Sequence, residues 1–228
     1  MRKYPVDYFY CRNCGFLQTE KPHWLEEAYR CAINDLDTGL LQRNIYYSKI
    51  ATVILSRYFK KDAEFLDYGG GYGIFTRLMR DNGFNFFIYD PNCPNLFAKE
   101  FQFNPEINQI SLITSWECFE HFENPLVDLE KMLKISRNIM FSTELLPEDI
   151  PNPDKWGYYG FEHGQHISFY SKKTFLFLSK KFNLKYYSAR NLHVLTEKKL
   201  HSASLLLLKA FSLYGGFYII NVLKNRKA

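Results

Sequence analysis

Two acids, a run of glycines and a pair of histidines carry the chemistry legible in this sequence. Asp67-Tyr68-Gly69-Gly70-Gly71-Tyr72-Gly73 places a carboxylate two residues ahead of a glycine turn. Glycine lets a backbone approach a ligand closely, and a carboxylate can take up a cationic group. Asp90, followed by Pro91, comes 23 residues after Asp67, where a doubly wound sheet offers an acceptor to a ribose diol. Farther on, the aromatic-rich stretch 156–170 holds Glu162, His163 and His166. Histidine titrates near neutrality and suits a step in which an acceptor loses a proton, while Glu162 could orient an imidazole or act as the base itself. Near the N-terminus, Cys11-Arg12-Asn13-Cys14-Gly15 is half of a zinc-knuckle-like site. Completing it within the same region would require His23 and Cys31; the alternatives are a metal-free vestige or a redox dithiol.

These residues need elements to hold them. Apolar spacing predicts a helix over 40–59, with Leu41, Ile45, Ile50, Ile54 and Leu55 on its inner face. A strand over 63–68 then runs into the glycine turn, which opens a helix ending near Asn82-Gly83. Further strands are expected over 84–89, 110–114 and 138–143. Asn124-Pro125 signals a capped helix start, with Leu126, Leu129, Met132 and Leu133 as its apolar face. A helix over 171–182 precedes strand material over 184–195 that closes the sheet. Alternating strands and helices predict a mostly parallel α/β sheet.

The glycine pattern excludes two common ligand sites. A G-x-G-x-x-G/A fingerprint would need glycine or alanine at position 74 or 76, which are Ile74 and Thr76, and no G-x-x-x-x-G-K-[ST] loop is present. What remains, an acid followed by G-x-G-x-G, resembles class I S-adenosylmethionine-dependent methyltransferases. The segment 113–125, with its Glu120-His121-x-x-x-Pro125 stretch, resembles that family's passage from a strand beside the cofactor into the next helix. The resemblance implies a Rossmann-like, seven-strand-type methyltransferase sheet that binds S-adenosylmethionine. Asp67, Tyr68, Gly69, Gly71, Gly73, Asp90, Pro91, Ser115, Trp116 and Glu117 would line its site. The stretch 156–170 is similar to one in a sugar- and polysaccharide-associated subgroup that carries a cysteine-rich zinc lobe. In that likeness Glu162-His163 matches the acid/base pair, His166 supports it, and Cys11 and Cys14 match the beginning of the lobe. That lobe uses two cysteine pairs where this chain has one C-x-x-C, and the subgroup's large C-terminal domain has no counterpart here.

The expected organisation is a small N-terminal Cys-pair lobe over 1–35, the cofactor domain over 36–195 and an apolar C-terminal element over 196–228 packed on it. The expected function is methyl transfer to a small polar acceptor, a nucleotide-linked sugar or surface-polysaccharide precursor first, with a His/Glu acid-base group and a structural zinc as a possible addition. The rivals are an O- or N-methyltransferase for a phosphorylated metabolite or lipid precursor, and a non-catalytic scaffold of the same fold. Across 228 residues the formal net charge is +5, with no basic stripe and no N/D-P-P-Y/F segment, so a nucleic-acid substrate is not expected. No signal-peptide pattern opens the chain, and five cysteines are an odd number. Both point to a cytoplasmic setting with free thiols. The stretch 202–223 is interrupted by Lys209, Ser212 and Gly215-Gly216, which argues against an integral membrane span. Oligomeric state leaves no mark on the sequence.

Overall fold

The computed structural model describes residues 4–30, 38–200 and 202–225. The chain opens with a hairpin of β1 (Tyr8–Cys11) and β2 (Phe16–Thr19), then a short helix α1 (Leu25–Ala28) and a long one, α2 (Leu40–Tyr58). Next come β3 (Glu64–Tyr68), α3 (Ile74–Asp81), β4 (Asn85–Tyr89), β5 (Ile110–Ser115), α4 (Pro125–Ile135) and β6 (Asn138–Ser142). The chain continues through β7 (Ser168–Tyr170), α5 (Lys172–Lys181), β8 (Lys185–Ala189) and β9 (Leu192–Thr196), and ends in α6 (Ser202–Phe211) and α7 (Phe217–Asn225).

Six strands form the central sheet in the order β4-β3-β5-β6-β9-β8. The pairs among β4, β3, β5 and β6 are parallel, and β9 turns antiparallel against β6 and β8. Parallel strands are covered on both faces, so they read as continuous apolar runs. Phe65, Leu66, Phe86, Ile113, Met140 and Phe141 are accordingly all buried. One face packs against α2 and α3 through Ile50, Ile54, Phe75 and Met79. The other packs against α4 and α5 through Leu129, Met132 and Phe175. This three-layer arrangement leaves the carboxyl ends of β3, β4 and β5 side by side, the place where such sheets bind ligands.

The structure departs from the sequence reading at several points. The expected mostly parallel, Rossmann-like sheet is there, with six strands among the described residues. The material over 184–195 is a hairpin of two strands, turned at Arg190, which takes φ +59°. Leu41, Ile45 and Leu126 are exposed, so the inner face of α2 starts only at Tyr47 and that of α4 at Leu129. Asn124 makes no side-chain capping bond, although α4 does begin at Pro125. Ser171 caps α5 in a reciprocal capping box with Thr174. The N-terminal hairpin joins a second sheet, pairing through β2 with β7.

At the C-terminus, Leu205, Lys209 and Ser212 are buried, while Leu206, Leu207, Tyr214, Tyr218 and Ile219 are exposed. Lys209 anchors the tail by donating from Nζ to the Ala189 carbonyl at 2.9 Å and to Asn191 Oδ1 at 3.2 Å. The stretch Leu205–Val222 has the length and apolar character of a membrane span, but Gly215, at φ +112°, breaks its helical path.

Candidate active site

A cavity of about 910 Å³ opens at the carboxyl ends of β3, β4 and β5. Asp67, Tyr68, Gly69 and Gly71 line it, together with Asp90, Pro91, Trp116, Glu117, His163 and His166. Gly73 and Ser115 do not. Gly73 is the N-cap of α3 at φ +86°, and a Cβ there would meet Asn95 Oδ1 at 2.7 Å. Its absent side chain therefore serves the packing of the loop 95–98 on α3. Ser115 is fully buried beneath the cavity wall.

Of the two acids, only Asp90 bonds the glycine loop directly. Asp67 is 1% exposed; Thr114 donates to its Oδ1 at 2.9 Å and Thr76 to its Oδ2 at 3.5 Å. Burial is the main cause that raises its pKa to about 7, with the Asp90 charge adding to the rise and the threonine hydrogen bonds opposing it. Asp90 accepts from the Gly71 amide at 2.8 Å through Oδ2, and from the Asn92 and Cys93 amides through Oδ1. Gly69 and Gly71 both lie in the left-handed region, at φ +73° and +57°. A Cβ on Gly69 would come within 2.5 Å of Cys118 Sγ, so glycine is required where the loop crosses the segment after β5.

In that segment Trp116 stacks on Tyr47, with ring centroids 4.3 Å apart and planes at 7°. Glu117 adopts φ +49°, an uncommon conformation for a non-glycine residue. Its backbone amide donates to Ser142 Oγ, and its Oε1 accepts from Ser142 at 2.5 Å and from Tyr47 at 3.3 Å. Glu120 is fully buried and neither of its carboxylate oxygens has a hydrogen-bond partner. Burial first, and the Glu117 carboxylate second, push its pKa well above the usual carboxylate range.

The histidine loop is brought to the same cavity from the far end of the chain. His163 and His166 lie with ring centroids 4.7 Å apart, and His166 and His121 with centroids 5.0 Å apart. Glu162, expected to work with His163, is exposed and does not line the cavity. The carboxylate that stands with the histidines is Glu120. The Glu120-His121 pair was visible in the sequence, yet nothing there indicated that it meets His166. Gly160, at φ +63°, lies under the His163 ring, where a Cβ would approach within 2.4 Å. The Gln165 amide donates to His163 Nδ1 at 3.1 Å, which places the proton of the neutral ring on Nε2. His166 Nδ1 lies 2.6 Å from the Tyr158 carbonyl. Burial, more than the neighbouring imidazoles, depresses its pKa to about 3.

The cysteine pair sits apart from this chemistry. Cys11 and Cys14 are free thiols in the turn between β1 and β2. That turn docks on the start of α5: the Cys14 carbonyl accepts from Thr174 Oγ1 at 2.9 Å, and the Arg12 carbonyl from Lys173 Nζ at 2.8 Å. His23 packs its ring against Tyr4 and Trp24, and Cys31 lies outside the described residues. Among the described residues no third metal-ligating side chain gathers with the pair.

The family described as "Methyltransferase domain" matches residues 42–189. No curated protein matches the chain. Among solved structures, the plantazolicin methyltransferase BpumL in complex with SAH is similar at 14% identity and a TM-score of 0.55, over 91% of this chain and 90% of that one. The complex between the Haloferax volcanii Trm112 methyltransferase activator and a methyltransferase matches at 14% identity and a TM-score of 0.52, over 79% of this chain and 98% of the matched chain. Human N-acetylserotonin methyltransferase matches at 14% identity and a TM-score of 0.48, over 77% of this chain, which spans 66% of that protein's length. At these identities the two likenesses with TM-scores of 0.52 and 0.55 speak to the fold alone. The family match takes in β3 to β8, including both acids, the glycine loop and both cavity-lining histidines of the 156–170 stretch, and on it the chain belongs to the methyltransferase-domain family.

Proposed function

We propose that this protein transfers a methyl group from S-adenosylmethionine to a hydroxyl of a small polar acceptor, and that the acceptor is a nucleotide-linked sugar or a related polysaccharide precursor. The observation that carries the reading is the opening of one cavity onto Asp67, the Gly69–Gly71 loop and Asp90 on one side and onto His163 and His166 on the other. The residues fit the donor. Gly69 and Gly71 present bare backbone at positive φ, a carboxylate at Asp67 suits an ammonium group, and Asp90 suits a diol. A cavity of about 910 Å³ lies within the range that holds ligands of this size. When bound, S-adenosylmethionine supplies an electrophilic methyl on a sulfonium. The sugar class is supported by the likeness of residues 156–170 to the sugar-associated subgroup; the phosphorylated-metabolite and lipid-precursor acceptors are the next to test.

The chain's own part is to orient the acceptor and receive its proton. His166 is unsuited to the second task, because burial keeps it neutral and its Nδ1–H is given to the Tyr158 carbonyl. His163 is the acid-base group in this reading. Taking a proton at Nδ1 costs it the Gln165 amide hydrogen bond, about 1 kcal/mol. The test is calorimetric titration with S-adenosylmethionine and S-adenosylhomocysteine, with NADH as control, followed by turnover on nucleotide sugars. Asp67→Ala should abolish binding of both sulfur ligands. His163→Ala should keep binding and lower kcat by about 10²-fold or more. Wild-type protein that binds neither ligand would leave the scaffold alternative standing, and unchanged turnover in His163→Ala would remove the base assignment.

A further inference from the structure

We propose that Glu120, His121 and His166 form a binding site for one divalent transition-metal ion of the zinc, iron or manganese kind at the wall of the cavity. One donor atom from each of the three lies within 4.8 Å of the other two. Two of them, His121 and His166, line the cavity, and the third is fully buried behind it.

The hydrogen bonds around the cluster set the chemistry of its centre. A backbone carbonyl can only accept. His121 Nδ1 lies 3.0 Å from the Gln165 carbonyl, and His166 Nδ1 lies 2.6 Å from the Tyr158 carbonyl. His166 therefore carries its neutral proton on Nδ1, and so does His121 where that nitrogen donates to the carbonyl instead of accepting from the Tyr29 hydroxyl 3.0 Å away; in that state Nε2 is the atom each ring turns to a metal. Metal-ligating histidines are held in this way, with the second ring nitrogen donating to a carbonyl or carboxylate that fixes the tautomer. Glu120 adds a carboxylate that is 0% exposed, with both oxygens lacking a hydrogen-bond partner. A buried carboxylate left without compensating charge costs several kcal/mol; a neutral imidazole beside it can share a proton with the carboxyl but brings no such charge of its own. A positive charge among the three would pair with the Glu120 carboxylate. Two imidazoles and one carboxylate form the donor set of open catalytic zinc sites and of facial-triad iron sites, both of which keep coordination positions for a further ligand. Here those positions face the cavity through His121 and His166. A role in catalysis rests on the methyl-transfer reading, in which the ion would acidify an acceptor hydroxyl; the binding itself does not depend on that reading.

The test uses the full chain carrying Cys11→Ser and Cys14→Ser, so that the thiols cannot supply a competing site. Cobalt(II) alone is titrated and followed by its visible ligand-field absorption, with zinc(II) as competitor. We expect one equivalent bound without a thiolate charge-transfer band. Affinity should be weaker by at least about tenfold in Glu120→Gln, and likewise in His166→Asn, the variant to use if Glu120→Gln does not fold. No stoichiometric binding, or equal affinity in the folded variants, would overturn the metal site and identify the cluster as one that shares a proton. Binding of S-adenosylhomocysteine to the same metal-free samples separates the two ideas. If it is retained while cobalt is not bound, only the metal proposal fails; if it is lost while cobalt is bound, only the methyl-transfer reading does.

Discussion

Asp67 shows how a single residue can be costly in the empty protein and useful in the occupied one. Its folded-state pKa of about 7 stands above the ordinary value of 3.8 because burial disfavours the charge. The folded chain therefore holds a proton that the unfolded chain releases between those values. The resulting stability is fully present below about pH 3.8 and is lost as pH rises through about 7. Asp67→Asn keeps the shape and removes the titration. The ligand-free variant should gain on wild type as pH rises across that window, by up to about 4 kcal/mol at its upper end. Urea denaturation of both proteins at several pH values checks this; a constant difference would show that Asp67 ionises freely in the folded protein. The acid, the glycines and Asp90 were legible in the sequence because a ligand-binding turn needs particular residue types at fixed offsets. Glu120 was not legible as a member of a cluster, because its partner His166 is 46 residues away and only the fold closes that distance.

Among the elements, β8 and β9 close the sheet around a buried imidazole. His193, on β9, accepts from the Tyr186 hydroxyl on β8 at Nδ1, 2.9 Å away, and donates from Nε2 to the Thr143 carbonyl at 3.0 Å. These bonds require the neutral ring, and burial is the largest cause that lowers its pKa to about 4. A depressed histidine pKa contributes stability that is complete above about pH 6.5 and lost as pH falls through about 4. Replacing the ring in His193→Gln should lower stability at pH 7.5 by about 1–3 kcal/mol through the broken bonds, and should flatten the acid side of the profile relative to wild type. Thermal melts from pH 7.5 to 4 would show it, and parallel profiles would refute the neutral-ring assignment. The strand material expected over 184–195 is two strands, and the turn between them, at Arg190-Asn191, is not marked in the sequence. A left-handed residue there is signalled by glycine, asparagine or aspartate, and the structure puts Arg190 in that conformation. By contrast, β3, β4, β5 and β6 were legible because strands buried on both faces read as uninterrupted apolar runs.

For the molecule as a whole, the N-terminal segment is part of the cavity wall. Leu25, Glu26 and Tyr29 line it, and three polar contacts tie this stretch to the histidine side of the cavity. Trp24 Nε1 donates to the Gly164 carbonyl at 2.8 Å, Gln165 Nε2 donates to the Ala28 carbonyl at 2.8 Å, and the Tyr29 hydroxyl lies 3.0 Å from His121 Nδ1. The cysteine spacing suggested a metal-held lobe; the structure shows in addition the segment's strand pairing with β7 and its contacts to loop 160–166 and to His121, which no local pattern encodes. Trp24→Phe tests that coupling because it keeps a ring in a site only 6% exposed and removes the bond to Gly164. The loss of that bond, which leaves a carbonyl without its donor, should lower stability by about 1–3 kcal/mol. Local opening should rise with it, so trypsin should cut faster after Arg30 than in wild type. Under the proposed function, S-adenosylhomocysteine binds in the cavity that this segment lines and should slow that cleavage in both proteins. Equal cleavage rates in wild type and Trp24→Phe would mean that β2–β7 pairing alone holds the segment, and that the bonds from Trp24 and Gln165 position the histidine loop without governing access to it.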